Sequence, residues 1–332
     1  MTTIAQTAPS EDKSSTPSNA LAAPTVATQQ GLTIYDLLLL GMVTVWAANP
    51  AAIKWALQYM DPLVFNAFRF LLAALVPVVV LLLSGERLTW HKGDGWKLLA
   101  LGLGAHGIYQ ALFIIGVDNT LAGNTALILS TSPAFVAIFS ALLGYERVRG
   151  YALAGICLSL LGAALVITGS GKPLELGAQL VGDLLILVVT AIWGFYTTIS
   201  QDFLKRYSAV KLNALVMPVG AAALFAFSSP QIVSTAPTWT TAPVGAWLVL
   251  AASGIFAVSV SYIIWYKGIQ KLGTTRTAVY SNLVPVIAAT ISFFVLKEPL
   301  GWQFWAGMVL VLLGVSLARF GGHLRAKLSR RI

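Results

Sequence analysis

Ten stretches of about 20 apolar residues, joined by short polar segments, fill nearly the whole chain and leave it little choice of fold. They run roughly over 35–57, 62–84, 95–117, 121–144, 149–169, 180–203, 208–228, 243–268, 275–296 and 301–319. Each is about as long as an α-helix must be to cross a hydrocarbon layer, where backbone polar groups must be satisfied within the segment itself. No soluble domain fits between them. Composition agrees: 57% of the 332 residues are hydrophobic and 10% are charged. Soluble domains carry about 25% charge, and this chain has too little to cover a water-facing surface. A cytosolic enzyme is excluded. The expectation is an all-α integral membrane protein with ten transmembrane helices.

Charge placement sets the orientation. With the N-terminus in the cytoplasm, 17 of the 21 Lys and Arg fall on the inner side; Lys54, Arg69, Lys172 and Lys297 fall outside. Cytoplasmic joins carry such an excess, so both termini are predicted to be cytoplasmic and the membrane to be the cell's inner (plasma) membrane. The net charge of +9 then reflects topology, and no nucleic-acid partner is expected. Residues 1–30, rich in Ser, Thr, Ala, Pro and Gln, have no apolar core and read as a disordered cytoplasmic tail rather than a signal peptide. The basic tail 321–332 is predicted to lie on the anionic inner leaflet. Trp90, Trp239, Trp302 and Trp305 sit near span ends, as an interfacial belt requires. The single cysteine, Cys157, allows no intrachain disulfide and no cysteine-built metal site, and reads as a core or lipid-facing residue.

The chain repeats itself. Trp46 aligns with Trp193, Leu57 with Leu204 and Asn66 with Asn213, at an offset of 147. Farther along the offset is 152, pairing Gly102 with Gly254, Gly116 with Gly268, Pro133 with Pro285, Gly155 with Gly307 and Gly162 with Gly314. A duplication with a five-residue insertion in the second copy accounts for both offsets. Each copy, 31–172 and 173–320, holds five spans; an odd number makes the second enter from the opposite side. Two inverted five-helix repeats around a central cavity are the architecture of an alternating-access carrier.

The same residues carry a family resemblance. Trp46-x-x-Asn49-Pro50-x-x-Ile53-Lys54, Asp61-Pro62 and Arg69-Phe70 resemble the opening of EamA-type permeases of the drug/metabolite transporter superfamily. Thr125-Ala126, Pro133, Glu146-Arg147, Gly155 and Gly162 resemble the close of that repeat. Thr277-Ala278, Asn282-Leu283-x-Pro285, Glu298-Pro299-Leu300, Gly307 and Gly314 resemble its second copy. The resemblance covers 35–320 and implies ten helices, a central cavity and movement of small metabolites. It departs where Lys54 and Arg69 fall opposite Gln201 and Val216, so the two half-sites are chemically unequal. Relatives that carry phosphorylated sugars would want a basic residue deep in the path, and none lies between Ala278 and Leu296.

Several groups could line such a path. Pro133 and Pro285, near the middle of spans four and nine, free the carbonyls of Leu129 and Ser281; they read as a paired hinge or as packing kinks. Pro50 similarly frees Trp46, beside Asn49. His106, Tyr109 and Gln110 share a helix face; the histidine is either a neutral packed residue or a cavity-lining, proton-sensing one. Trp193, Tyr196, Thr197 and Ser200 repeat that spacing, as do Ser259, Tyr262 and Tyr266, either as interhelical packing or as an amphipathic pocket wall. Lys54 and Arg69 read as snorkelling anchors near the outer ends of spans one and two, or as receptors for a substrate carboxylate. The candidate substrate-binding set is completed by Trp46, Asn49 and Asn282. Asp36, Asp183, Asp202, Glu146 and Glu298 all fall at span ends, so a buried carboxylate relay has no candidate.

Intramembrane catalysis finds no support. His91, His106 and His323 are scattered without a His-Glu-x-x-His motif, no Gly-x-Ser-x-Gly pentapeptide occurs, and no midspan Asp joins Asp36. No metal site and no cofactor are expected. The sequence thus predicts a secondary carrier, first an exporter, of small metabolites such as amino acids or related amphipathic compounds. Multidrug-type efflux and a channel-like protein are the alternatives.

Overall fold

A computed structural model describes residues 33–145, 150–168, 177–272, 280–294, 297 and 300–328. A few side chains within those ranges, that of Asn282 among them, lie outside the described residues, as do the tail 1–30, Glu146, Arg147 and Glu298. The described regular structure is helical. The first-half elements are α1 (Ile34–Ala56), α2 (Pro62–Leu83), α3 (Gly95–Asn119), α4 (Ala122–Leu142) and α5 (Gly150–Thr168). Then come α6 (Ala178–Leu204) and α7 (Ala209–Phe227), and α8, built from Val244–Ala252, Ser253–Val260 and Ser261–Leu272. α9 is Val284–Phe294 and α10 is Trp302–Leu328. Among the described residues, seven helices (α1–α4 and α6–α8) are long and apolar enough to cross a membrane; Leu153–Leu165 in α5 and Trp302–Gly314 in α10 are shorter apolar stretches. The α10 backbone runs on to Leu328, into the stretch read from sequence as a tail.

Local chemistry sets the ends. Thr33 and Asp36 form a reciprocal capping box at the start of α1. Asp61 accepts hydrogen bonds from the Leu63 and Val64 amides, with Pro62 at the first helical position of α2. Gly85 and Gly144 stop α2 and α4 with positive φ, which glycine adopts without strain. The helices turn large apolar side chains outward, Leu83, Leu142 and Phe227 among them. On a soluble protein such a belt would be a liability; against lipid it needs no cover.

Helix packing pairs corresponding elements of the two halves. α2 packs on α7, and α5 on α10. The pairing of α3 with α6 is matched by α8 with α1, that of α2 with α8 by α7 with α3, and that of α4 with α6 by α9 with α1. Glycines make these approaches close. A Cβ on Gly254 would lie 2.5 Å from the Arg69 carbonyl oxygen, and one on Gly102 would lie 2.7 Å from that of Val216. At the α5–α10 contact, a Cβ on Gly162 would meet the Gly307 carbonyl at 2.7 Å, and one on Gly314 the Ser159 amide at 2.4 Å.

The structure departs from plain helices in two ways. α3 and α8 each contain a π-helical segment, Leu103–Ile108 and Ser253–Val260, at equivalent places in the two halves. α4 is not a bent helix but two helices, Ala122–Leu129 and Ser132–Leu142, and Pro133 stands in the first turn of the second. Pro285 likewise occupies the second position of α9, after a 3-10 turn over Ser281–Leu283. The expected kink is therefore an interruption. At a helix start the missing proline N–H has no intrahelical partner to lose, so a new helix begins there at little cost. The hydroxyls of Ser130 and Thr131 bond the Leu127 and Ile128 carbonyls at 2.6 and 2.7 Å, satisfying the end of the first α4 piece.

Candidate functional site

The interrupted helices border a cavity of about 120 Å³ in the middle of the bundle. From the first half, α1 contributes Trp46, Asn49 and Pro50, α2 contributes Arg69, and α3 contributes Tyr109, Gln110 and Phe113. Leu129, Ser130 and Ser132 enter from the break in α4. From the second half come Trp193 on α6, Val258 and Tyr262 on α8, and Ser281 and Val284 at the break before α9. Five aromatic side chains, Trp46, Tyr109, Phe113, Trp193 and Tyr262, stand in its wall; Trp193 lies 5.0 Å from Tyr262 and 6.0 Å from Tyr109, ring centre to ring centre. Tyr109 stacks on Phe113 at 6.1 Å. The Trp46 indole N–H donates to the Ala257 carbonyl at 2.9 Å, inside the π segment of α8. This bond fastens α1 to α8.

The polar groups around Arg69 form one connected set. Arg69 is 1% exposed. Its Nη2 donates to Gln110 Oε1 at 2.6 Å, and its Nη1 to Ser253 Oγ at 3.2 Å. Ser253 in turn donates to Asn49 Oδ1 at 2.6 Å, and Asn66 Nδ2 donates to the Gln110 carbonyl at 2.6 Å. The guanidinium also lies over the Phe113 ring, 5.4 Å from its centre. The snorkelling-anchor reading of Arg69 is corrected here. It is two turns inside α2, about 10 Å from the helix start at a 1.5 Å rise, and it is buried on the face where it meets α3 and α8.

The remaining sequence candidates divide clearly. Lys54 does not reach the cavity; its Nζ donates to the carbonyls of Val117, Asp118 and Thr120 at the end of α3, where a cation complements the helix dipole. His106 is fully buried behind the wall, stacked on Phe70, with Nε2 3.3 Å from the Tyr196 hydroxyl. Its close packing is enforced from behind by Gly220, where a Cβ would sit 2.4 Å from that of His106. Tyr196 and Tyr266 are buried in the apolar cluster beside it, and Ser259 Oγ donates to the Ala73 carbonyl. Those four pack helices together outside the lining. Pro133 and Pro285 flank the lining residues Ser132 and Val284. Trp90, Trp302 and Trp305 are exposed near helix ends as expected, whereas Trp239 packs between Phe68 and Trp247. Cys157 is exposed. Sequence reasoning missed Phe113, Ser130, Ser132 and Ser253; only the last carried a signal, lying beside Gly254 in the repeat.

Both ends of the bundle are tied by side chains. The buried carboxylates Asp36 and Asp183 stand 147 apart, the first-half offset. Asp36 accepts from the Tyr280 hydroxyl at 2.6 Å, before α9; Asp183 accepts from Thr120 and from Asn124 at 3.3 Å, at the start of α4. On the side bearing the cationic joins, Asp94 accepts from Arg206 Nη1 at 2.6 Å and from the Tyr207 hydroxyl at 2.8 Å. Burial alone would raise the Asp94 carboxyl, but these hydrogen bonds and the Arg206 charge hold it below the usual carboxylate range.

A family model described as "EamA-like transporter family" matches the chain twice, over residues 33–168 and 180–320. The chain belongs to the EamA-like transporter family. Among its relatives is an uncharacterized transporter of Bacillus subtilis (strain 168), YyaM, 30% identical over 290 residues covering 86% of this chain and 93% of that protein. An uncharacterized transporter of Archaeoglobus fulgidus is 29% identical over 277 residues, 82% of this chain and 94% of that one. A crystal structure at 19% identity superposes with a TM-score of 0.61 over 86% of this chain and 97% of the other, a likeness of fold. With its apolar helices, the EamA-like chain is a multi-pass membrane transporter.

Proposed function

We propose that this EamA-like protein is a secondary carrier that moves small amphipathic metabolites, amino acids and related compounds first, across the cell's inner membrane by alternating access, in the export direction, and without enzymatic activity. In this reading ten spans form two inverted five-helix repeats, 31–172 and 173–320, with both termini cytoplasmic and the basic C-terminal tail against the inner leaflet. The observation that carries it is the cavity, lined from both halves and bordered by helix interruptions at Ser130–Thr131 and at Ser281–Leu283. Further support comes from the matched helix pairings, the two glycine approaches at equivalent carbonyls and the double match to the family model. Discontinuous helices at a repeat interface are where carriers place their substrate. Trp46, Asn49, Arg69, Tyr109, Gln110, Trp193 and Tyr262 are the proposed substrate-binding residues.

Purified protein in proteoliposomes provides the test. Saturable uptake that is accelerated by unlabelled substrate on the opposite side is the expected result, across a panel of amino acids, sugars and amphipathic drugs. Flux is expected without an imposed pH gradient, since the buried carboxylates Asp36 and Asp183 are at helix starts and already bonded. A continuous, non-saturating current would instead identify a channel.

A further inference from the structure

The cavity is bordered by a cation whose counter-charge none of the described residues supplies. Arg69 stays protonated in proteins at any ordinary pH. It is 1% exposed, and among the described residues no carboxylate is within ion-pair distance of it. Its partners, Gln110 and Ser253, are neutral, and its Nε is buried with no hydrogen-bond partner. Burying a charge without a counter-ion is among the most costly arrangements in a protein interior. Here the guanidinium borders a cavity and is held in place from two sides, which is how a receptor is built. The neutral partners orient the fork without cancelling its charge.

We propose that Arg69 is the receptor for the carboxylate of a small organic monoanion, whose apolar body lies against Trp46, Tyr109, Trp193 and Tyr262. The proposal deepens the carrier reading and rests on it. One positive charge matches one negative charge, so a carboxylate leaves the site neutral where a phosphate dianion would leave it negative in a low-dielectric surrounding. Among the described lining residues no acidic group is present to receive an ammonium, so the carboxylate is the recognised feature, and within the proposed cargo range amino acids, zwitterionic at pH 7, rank below related monocarboxylates that lack the ammonium. Size agrees: an engineered cavity of roughly 150 Å³ holds benzene, and this one, at about 120 Å³, suits a single small ring or short branched chain. The second half offers no equivalent receptor, since Val216 occupies the matching position.

The test uses one body with different heads: benzoate, benzylamine, benzyl alcohol and phenyl phosphate, each titrated against purified full-length protein at pH 7 by calorimetry and by quenching of tryptophan fluorescence. Benzoate is expected to bind at least about tenfold more tightly than the other three, the size of one charge-assisted bidentate contact. Arg69→Gln should remove that preference and Arg69→Lys should keep part of it. Should Arg69→Gln fail to fold, the wild-type ranking of the four heads decides by itself. Equal binding of all four, tighter binding of the amine, or tighter binding of the phosphate overturns the carboxylate receptor while leaving a carrier in place. Wild-type protein that neither binds nor transports any member of these or the wider amino-acid panel overturns the carrier reading itself.

Discussion

Where α2 passes closest to α8, the Arg69 carbonyl faces Gly254; where α7 passes closest to α3, the Val216 carbonyl faces Gly102. The two backbones are interchangeable, yet one position carries a guanidinium and the other an isopropyl group. The same holds one helix over, where Gln110 borders the cavity in the first half and Tyr262 in the second, and on α1 and α6, where Asn49 corresponds to Tyr196. What repeats is what the backbone needs: glycines at crossings, prolines at interruptions, π segments in α3 and α8. What differs is what a ligand touches. On the proposed carrier reading the backbone is kept nearly symmetric so that two conformations can exchange, while a substrate with a head and a tail gives the lining no reason to obey that symmetry.

The largest effect should come from breaking what the halves share. Gly102→Val and Gly254→Val each drive a branched side chain into a backbone carbonyl that has no room to move, so both should lose most folded protein, assayed as monodisperse material in detergent. Comparable losses are expected; a tolerated Gly254→Val beside a lost Gly102→Val would refute the equivalence of the two crossings.

Next in size is the effect of breaking what they do not share. Arg69→Gln should lower transport at least about tenfold, because a buried charged contact is removed. Val216→Ala, at the equivalent position, should transport at close to the wild-type rate. Equal losses would mean that position matters and charge does not.

The paired prolines sharpen the comparison more gently. Pro133→Ala and Pro285→Ala should both fold and lower transport by about two- to tenfold, since biasing one conformation by about 1 kcal/mol has that effect. Cysteine accessibility, read on a Cys157-replaced background, should shift in opposite directions in the two variants. Unchanged accessibility with wild-type transport would make both prolines packing features.

The smallest effect is at one end of the bundle. Asp94 with Arg206 and Tyr207 has no counterpart in the second half, where Ala246 stands at the matching position. Its folded-state pKa lies below the unfolded value of about 3.9, so its stabilisation is complete above that pH and disappears as pH falls through the folded value. Asp94→Asn should therefore lower the melting temperature by a few degrees at most at pH 7, with the gap to wild type narrowing as the pH falls below the ordinary carboxylate range.

Much of the fold was legible because hydropathy is a local quantity. The expected spans 35–57, 62–84 and 208–228 agree with α1, α2 and α7 to within one residue at each end. The π segments and the complete interruption of α4 were not legible, since each is a difference of a few hydrogen bonds in a uniformly apolar run. Arg69 shows the limit most sharply. A hydropathy window sees a cation eight residues from Asp61 and assigns it to the end of the span, but whether it snorkels depends on the helices that cover it. His106 is the converse case: legible as buried, yet placed behind the wall by Gly220 and Phe70, which are distant in sequence.

By itself the sequence determined that this chain crosses a membrane repeatedly and where α1, α2 and α7 begin and end, because apolar length and caps are properties of neighbours along the chain. The tertiary structure alone decided which polar groups face one another. Arg69, Gln110, Ser253 and Asn49 come from four different helices, and nothing local brings them together. They meet because Gly254 lets α8 close onto α2, so that a buried charge ends beside a cavity and away from any carboxylate among the described residues.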